Sequence, residues 1–157
     1  MKNFSKLLIA IIGCELVGII SAAFTLSAIP AWYQTLQKPS FSPPNWVFGP
    51  VWTVLYFLMG VSAYLIWIKG LKKKNVKNAL GFFVGQLTLN FLWSIVFFGF
   101  QSPLLGLVDI IILWLLIIAT IFKFYKISKT AAYLLIPYLL WVSSASILNL
   151  SIVLLNR

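Results

Sequence analysis

The chain has 157 residues, of which 62% are hydrophobic and 9% are charged, with a formal net charge of +10. A soluble domain of this length carries about 25% charged residues, because its whole surface faces water. The composition therefore excludes a soluble globular protein and predicts a chain whose surface faces lipid.

Five apolar stretches are long enough to cross a membrane, since a helix needs roughly 20 residues to span the hydrocarbon core. They cover residues 7–27, 47–68, 79–99, 104–124 and 130–155. Helices are required there because lipid offers no partners to unpaired backbone groups. The runs are also too long for barrel strands and do not alternate. The sequence predicts an all-α membrane protein with a single domain, 1–157, built as a bundle of five transmembrane helices.

The first span also has features of a secretory signal, because Lys2 and Lys6 precede an apolar run and Cys14 follows a pattern seen before lipidated cysteines. The run continues well past Cys14 and contains Glu15. We therefore expect a retained helix rather than a cleaved or lipidated segment. The single cysteine excludes an internal disulfide.

The basic residues follow the positive-inside rule. With five spans, ten of the twelve lie on the side of the N-terminus, and only Lys38 and Arg157 lie on the other. The sequence thus predicts a multi-pass protein of the cell membrane, with its N-terminus cytoplasmic and its C-terminus outside. Because topology accounts for the charge, we expect contacts with membrane lipids and no nucleic-acid partner.

Polar and aromatic side chains recur at helical spacing on four of the spans, so that each set shares one face. The four sets are Glu15, Gly18, Ala22 and Thr25; Trp52 and Tyr56, after Pro50 at the start of the second span; Gln86, Asn90 and Trp93; and Trp141, Ala145 and Leu148, with Asn149 alongside. Ionisable groups such as Glu15 and Asp109 usually face the interior of a bundle. Such faces serve either as contacts between helices or as a ligand site, and periodicity alone slightly favours contacts.

Gly81 and Gly85 form a G-x-x-x-G pair in the third span. Small residues at this spacing let two helices approach closely. The pair predicts a close contact, either between two subunits or within one bundle.

The connector between the first two spans, 29–45, is rich in prolines and aromatic rings. Tryptophan and tyrosine often mark the membrane interface. Prolines also restrict the backbone and lower the entropy lost when it becomes ordered. We expect a structured cover over the bundle rather than a slack link.

Four motifs extend this pattern along the chain: WYQTLQKPSFSPP at 32–44, GPVWTVLY at 49–56, GQLTLNFLW at 85–93 and PYLLWVSSASILN at 137–149. Together with Asp109, and over nearly the whole chain, they resemble the tryptophan-rich sensory protein/translocator protein family, also called peripheral benzodiazepine receptors. The abundance of lysine over arginine and the short termini fit a bacterial member.

The resemblance implies a five-helix bundle, commonly a homodimer, that acts as a receptor for porphyrins and for benzodiazepine- or isoquinoline-type ligands. The implied ligand-binding residues are Ala22, Tyr33, Pro43, Trp52, Asn90, Trp93, Val108, Trp141, Ala145 and Leu148. Most of them belong to the converging faces, which shifts the interpretation of those faces to a ligand site. Animal members carry a tyrosine shortly after the equivalent of Leu148-Asn149; this chain has none before Arg157, so we expect no cholesterol site of that type.

Three functions remain open. The first is a receptor for protoporphyrin IX or a related tetrapyrrole; the chain has no histidine, so a haem site with an axial histidine is excluded, and we expect no metal and no cofactor. The second is light-dependent oxidative degradation of protoporphyrin, with Trp52 and Trp141 as catalytic residues, since ordinary acid–base and nucleophilic groups are nearly absent. The alternative is a transporter of tetrapyrroles, although the five unequal spans show no inverted repeat.

The lysine distribution makes a testable prediction about topology. A reporter enzyme that works only outside the cytoplasm should be active when fused after Arg157 and silent when fused within 72–77, because basic segments stay cytoplasmic. Reporter activity on colonies of the two fusions measures this directly. The reverse pattern would contradict the five-span topology.

Overall fold

The computed structural model describes residues 2–157, and within that range it contains helices and no β-strand. The helices are α1 Asn3–Ala28, α2 Asn45–Trp67, α3 Lys74–Ser94, α4 Pro103–Tyr125, α5 Lys129–Leu134 and α6 Ile136–Leu155. A 3₁₀ turn covers Tyr33–Thr35, and a π-helical turn, Ile95–Gly99, extends α3. Five helical units are long and apolar enough to cross a membrane: α1, α2, α3 with its π turn, α4, and α5 with α6. The predicted fold class is confirmed, and the ends of the predicted spans differ from these units by at most five residues.

The last crossing consists of two helices, whereas the sequence predicted one continuous helix over 130–155. Pro137 has no N–H and cannot donate to the carbonyl four residues earlier. The chain makes a turn instead at Leu135, whose N–H donates to the carbonyl oxygen of Ala132 at 3.1 Å. The second helix then carries Tyr138 into the interior, where it is 1% exposed.

The third crossing ends in a widened turn. The N–H of Phe100 donates to the carbonyl oxygen of Ile95 at 2.8 Å, which is a bond over five residues rather than four. The extra residue lets two consecutive rings, Phe97 and Phe98, both face inward and be buried. Single π turns of this kind are frequent at functional sites.

The crossings form a closed ring in the order α1, α2, α5/α6, α4 and α3, with α3 returning to α1. The closest crossing joins α1 to α2. A Cβ atom on Gly60 would lie 2.6 Å from the Cα atom of Ile11, and one on Gly18 would lie 2.5 Å from the ring of Tyr56. Only glycine leaves room for these contacts.

The two ends of the bundle differ in packing and in charge. Lys6 Nζ lies 5.7 Å from the ring centre of Trp67, and Lys123 Nζ lies 4.4 Å from that of Phe82. The basic segments therefore gather at one end. The half of the bundle next to that end is filled by fully buried side chains, which include Met59, Ile66, Val76, Ile117, Phe124 and Ala131.

The connector 29–44 closes the opposite end of the bundle. The ring of Tyr33 is 2% exposed and lies 5.7 Å from that of Phe98. Lys38 Nζ donates to the carbonyl oxygen of Tyr33 at 3.0 Å. At the end of α6, the side-chain amide of Asn156 accepts from the N–H of Gln37 and donates to its carbonyl oxygen, both at 2.9 Å. The connector is thus a structured cover that packs on the π turn and is hydrogen-bonded to the end of α6.

Candidate functional site

A cavity of about 240 Å³ lies beneath the connector, between α1, α2, α3, α4 and α6. Eight aromatic rings contribute to its wall: Tyr33, Phe48, Trp52, Tyr56, Trp93, Phe97, Phe98 and Trp141. Mostly apolar and aromatic walls with a few polar groups are typical of small-molecule sites.

Eight of the ten residues that the resemblance implied line this cavity: Ala22, Tyr33, Trp52, Asn90, Trp93, Trp141, Ala145 and Leu148. Val108 and Pro43 do not. Val108 precedes Ile110 by two residues, or about 200° around the helix. It therefore points outward and is 52% exposed, while Ile110 lines the cavity. Pro43 lies before the start of α2, and the first turns of that helix supply this part of the wall with Asn45 and Phe48.

The faces defined by helical spacing do converge on the cavity. All four residues of the first set and all four of the last line it. Gln86 is the exception among the α3 residues, because it lies deeper and is 1% exposed. Asp109 also lies outside the lining, and its Oδ2 atom is buried with no hydrogen-bond partner among the described residues.

A chain of hydrogen bonds connects three helices at the inner wall of the cavity. The hydroxyl of Tyr56 donates to Asn90 Oδ1. Asn90 Nδ2 donates to the hydroxyl oxygen of Tyr138 at 2.8 Å, and that hydroxyl donates to Gln86 Oε1 at 2.7 Å. Asn90 accepts a hydrogen bond at Oδ1 and donates one from Nδ2, so its side-chain amide is held in one orientation. The polar interior thus serves as contact between helices and as cavity wall at once.

A second set of bonds fixes Trp93. Its indole N–H donates to Asn149 Oδ1 at 3.0 Å, and Asn149 Nδ2 donates to the carbonyl oxygen of Pro103 at 2.8 Å. The Trp93 ring is stacked on Phe97, with centroids 4.8 Å apart. This arrangement joins α3, α4 and α6 near the π turn and leaves the Trp93 ring rigid against the cavity.

Three donors in the cavity wall have no hydrogen-bond partner within the described chain: the Trp141 indole N–H and the hydroxyls of Ser21 and Tyr33. Buried donors are normally paired. Trp141 lies 6.4 Å from Trp52, with the two ring planes perpendicular. The site can therefore offer hydrogen bonds to a ligand's acceptor atoms beside flat apolar surfaces.

The cavity opens toward lipid along the half of α1 that is nearer the connector. Ile19 and Leu26 line it although they are 64% and 70% exposed. Thr53 on α2 is likewise exposed and lines the cavity.

Among residues 2–157 there is no group of three His, Cys, Asp or Glu side chains that could hold a metal ion.

The whole of this lining falls within residues 10–155, which match the TspO/MBR family. The chain belongs to the TspO/MBR family. It is 48% identical over 154 residues to the tryptophan-rich protein TspO of Archaeoglobus fulgidus, which covers 98% of this chain and 99% of that protein. A protein of the same name from Chlorobaculum tepidum is 46% identical over 155 residues, covering 99% and 98%. The human translocator protein is 44% identical over 120 residues, covering 75% of this chain and 70% of its own.

The family match and the five apolar helices establish a multi-pass membrane protein of the TspO/MBR family. The resemblance drawn from the four motifs is therefore confirmed. The named relatives are archaeal, bacterial and human.

The sequence of this TspO/MBR member did not predict some of the residues that line the cavity. Phe97 and Phe98 follow each other, and regular helical spacing separates neighbours by about 100°, so both could not be expected on one face. Ser21 lies three residues after Gly18 and four before Thr25, so the periodicity of α1 contained the signal that would have identified it.

Proposed function

We propose that this chain is a membrane receptor for porphyrins or related tetrapyrroles, with protoporphyrin IX as the first candidate. The observation that carries the proposal is the cavity lined by eight aromatic rings, with the indole N–H of Trp141 in its wall and without a hydrogen-bond partner among residues 2–157. A flat apolar macrocycle suits such walls, and its carboxylates would accept from the free donors. Flat benzodiazepine- or isoquinoline-type ligands fit the same description.

Transport of tetrapyrroles is the second candidate, because the cavity opens to lipid beside Ile19 and Leu26. We favour the receptor because the half of the bundle next to the lysine-rich end is filled by side chains such as Met59 and Ile117, both 0% exposed. A macrocycle could enter the cavity from the bilayer, yet it would find no path through that half. In the proposed orientation the lysine-rich end faces the cytoplasm and the connector faces outside.

Binding in the cavity can be tested at Ala145. In Ala145→Phe the new ring would occupy space that a macrocycle needs, and we expect weaker protoporphyrin binding by ~1–3 kcal/mol. Quenching of tryptophan fluorescence measures the affinity. Ile147→Phe is the matched control, since Ile147 lies two residues away on the same helix and is 59% exposed. Equal affinities for wild type and Ala145→Phe would mean that the ligand binds elsewhere.

We also propose that the bound porphyrin is oxidised by dioxygen under light, with Trp52 and Trp141 taking part through a transient tryptophan radical. The light-excited porphyrin would take one electron from an indole and pass it to dioxygen, which becomes superoxide. The tryptophan radical would then regain an electron from the porphyrin, which is left oxidised by one electron. Their perpendicular rings lie 6.4 Å apart in the cavity wall, so both would contact one macrocycle. Indole gives up an electron more readily than most side chains do. The competing interpretation is that both rings only form walls.

Replacing each indole by another aromatic ring distinguishes a catalytic role of the two tryptophans from a role as cavity walls. Trp52→Phe and Trp141→Phe keep an aromatic wall, and we expect them to bind protoporphyrin while losing its absorbance under light more slowly than wild type. The measurement is made at saturating ligand, with samples in the dark and without dioxygen as controls. Normal binding with wild-type bleaching in both variants would reject the catalytic role.

We propose further that the protein forms a homodimer through α3. A Cβ atom on Gly81 would meet nothing within 4 Å, and one on Gly85 would meet only a Leu116 methyl at 3.9 Å. These glycines therefore make no close crossing within the bundle, and a surface groove runs over them beside Lys77 and Leu116. A second copy of α3 would find space for close backbone approach there.

The dimer contact can be tested by filling this groove. Gly85→Leu should shift the detergent-solubilised protein toward the monomer, because the added side chain prevents close approach of two helices. Light scattering coupled to gel filtration measures the mass. Gly13→Leu is a matched control, as a Cβ atom on Gly13 also meets nothing within 4 Å. A Gly85→Leu protein that stays dimeric would show that the contact lies elsewhere.

A further inference from the structure

Glu15 is the only charged side chain among the residues that line the cavity. It lies twelve residues after the start of α1, or about 18 Å along the helix axis, which is near the middle of the bilayer. Gly18 and Ala22, on the same face of α1, line the cavity as well. Glu15 therefore lies at the level of the deep part of the cavity, half-buried, rather than at the membrane surface.

Among residues 2–157, no basic side chain is positioned to neutralise Glu15. Neither lysine nor arginine occurs in the cavity lining. The basic residue that precedes Glu15 most closely on α1 is Lys6, two and a half turns or about 13 Å away along the axis, and its Nζ lies over the ring of Trp67. A carboxylate at this depth is costly unless a positive charge or hydrogen-bond donors accompany it.

The surroundings of Glu15 suit a cation. The ring of Tyr56 packs directly on Gly18, one helical turn from Glu15. The ring of Trp52 follows, with its centroid 5.5 Å from that of Tyr56. The faces of tyrosine and tryptophan rings attract ammonium groups, and more strongly where water is excluded. An ammonium bound by Glu15 would therefore lie within about one helical turn of the Tyr56 ring, with Trp52 next along the wall.

We propose that Glu15 makes the cavity selective for aromatic ligands that carry a protonated amine, and that its carboxylate binds the ammonium group. The inference rests on the proposed function in one respect, namely that this cavity binds ligands. The same charge would repel a carboxylate at the deep end. A dicarboxylate tetrapyrrole would then lie with its acid groups toward the connector, where the Trp141 and Tyr33 donors and Lys38 are found.

The test uses two probes that share one aromatic body, 1-pyrenemethylamine and 1-pyrenecarboxylic acid. The protein is placed in nanodiscs of zwitterionic lipid, and binding is followed by energy transfer from tryptophan to pyrene. Empty nanodiscs correct for partition of each probe into lipid. We expect wild type to bind the amine about tenfold or more tightly than the acid, the size expected for a hydrogen bond to a charged group.

Glu15→Gln keeps the shape of the side chain and removes its charge, so the preference for the amine should fall to nearly one. Glu15→Leu is a second neutral variant and should lose the preference in the same way. Asp109→Asn is the matched control, because Asp109 is the other acidic residue of the chain and lies outside the lining. This variant should keep the wild-type ratio.

Equal affinities for the two probes in wild type, or a preference that survives in both Glu15 variants, would overturn the inference. Titration of the same samples with protoporphyrin IX separates this result from the proposed function. Amine selectivity without protoporphyrin binding would reject the tetrapyrrole receptor and leave the role of Glu15 standing. Protoporphyrin binding without amine selectivity would reject the role of Glu15 alone.

Discussion

The hydrogen bonds that run from Tyr56 through Asn90 and Tyr138 to Gln86 are the contact on which the bundle depends. Lipid offers no partner to these hydroxyls and amide oxygens, so their hydrogen bonds have to be made inside the protein. The network joins α2, α3 and α6, three crossings that lie on different sides of the ring. It also fixes the boundary between the solidly packed half and the half that encloses the cavity.

Two further devices keep the cavity from collapsing. At the π turn, Phe97 stacks on Trp93 and Phe98 packs at a tilt against Tyr33, and these rings form a rigid wall. The clasp between Asn156 and the backbone of Gln37 holds the connector across the open end. Rigid rings at the wall and a tethered cover preorganise the cavity, which lowers the entropy lost when a ligand binds.

Much of the fold could be predicted because membrane composition and helical spacing are local signals. Hydropathy located the five crossings, and a spacing of three to four residues found a little under half of the residues that line the cavity. The π turn at 95–99 was missed because regular helical spacing gives no sign of an extra residue in a turn. The break at Leu135 did have a local signal, Pro137, which the prediction of one continuous helix did not use. Glycines show the same limit: the spacing of Gly81 and Gly85 attracted attention, whereas the tight crossing uses Gly60 against the backbone of Ile11. Whether a glycine forms a close contact depends on where the neighbouring helix runs, which the spacing of glycines along one helix does not show.

Because the cavity residues Ile19 and Leu26 are exposed on the outside of the bundle, the lipid composition affects how much of the cavity is occupied by ligand. A hydrophobic compound that enters beside them comes from the bilayer, so its mole fraction in the lipid drives binding by mass action. The partition coefficient then multiplies the affinity of the cavity itself. Two compounds with equal contacts would fill the site to different extents if one dissolves better in the membrane. Dissociation constants expressed as aqueous concentrations would also change with the ratio of lipid to protein in the sample.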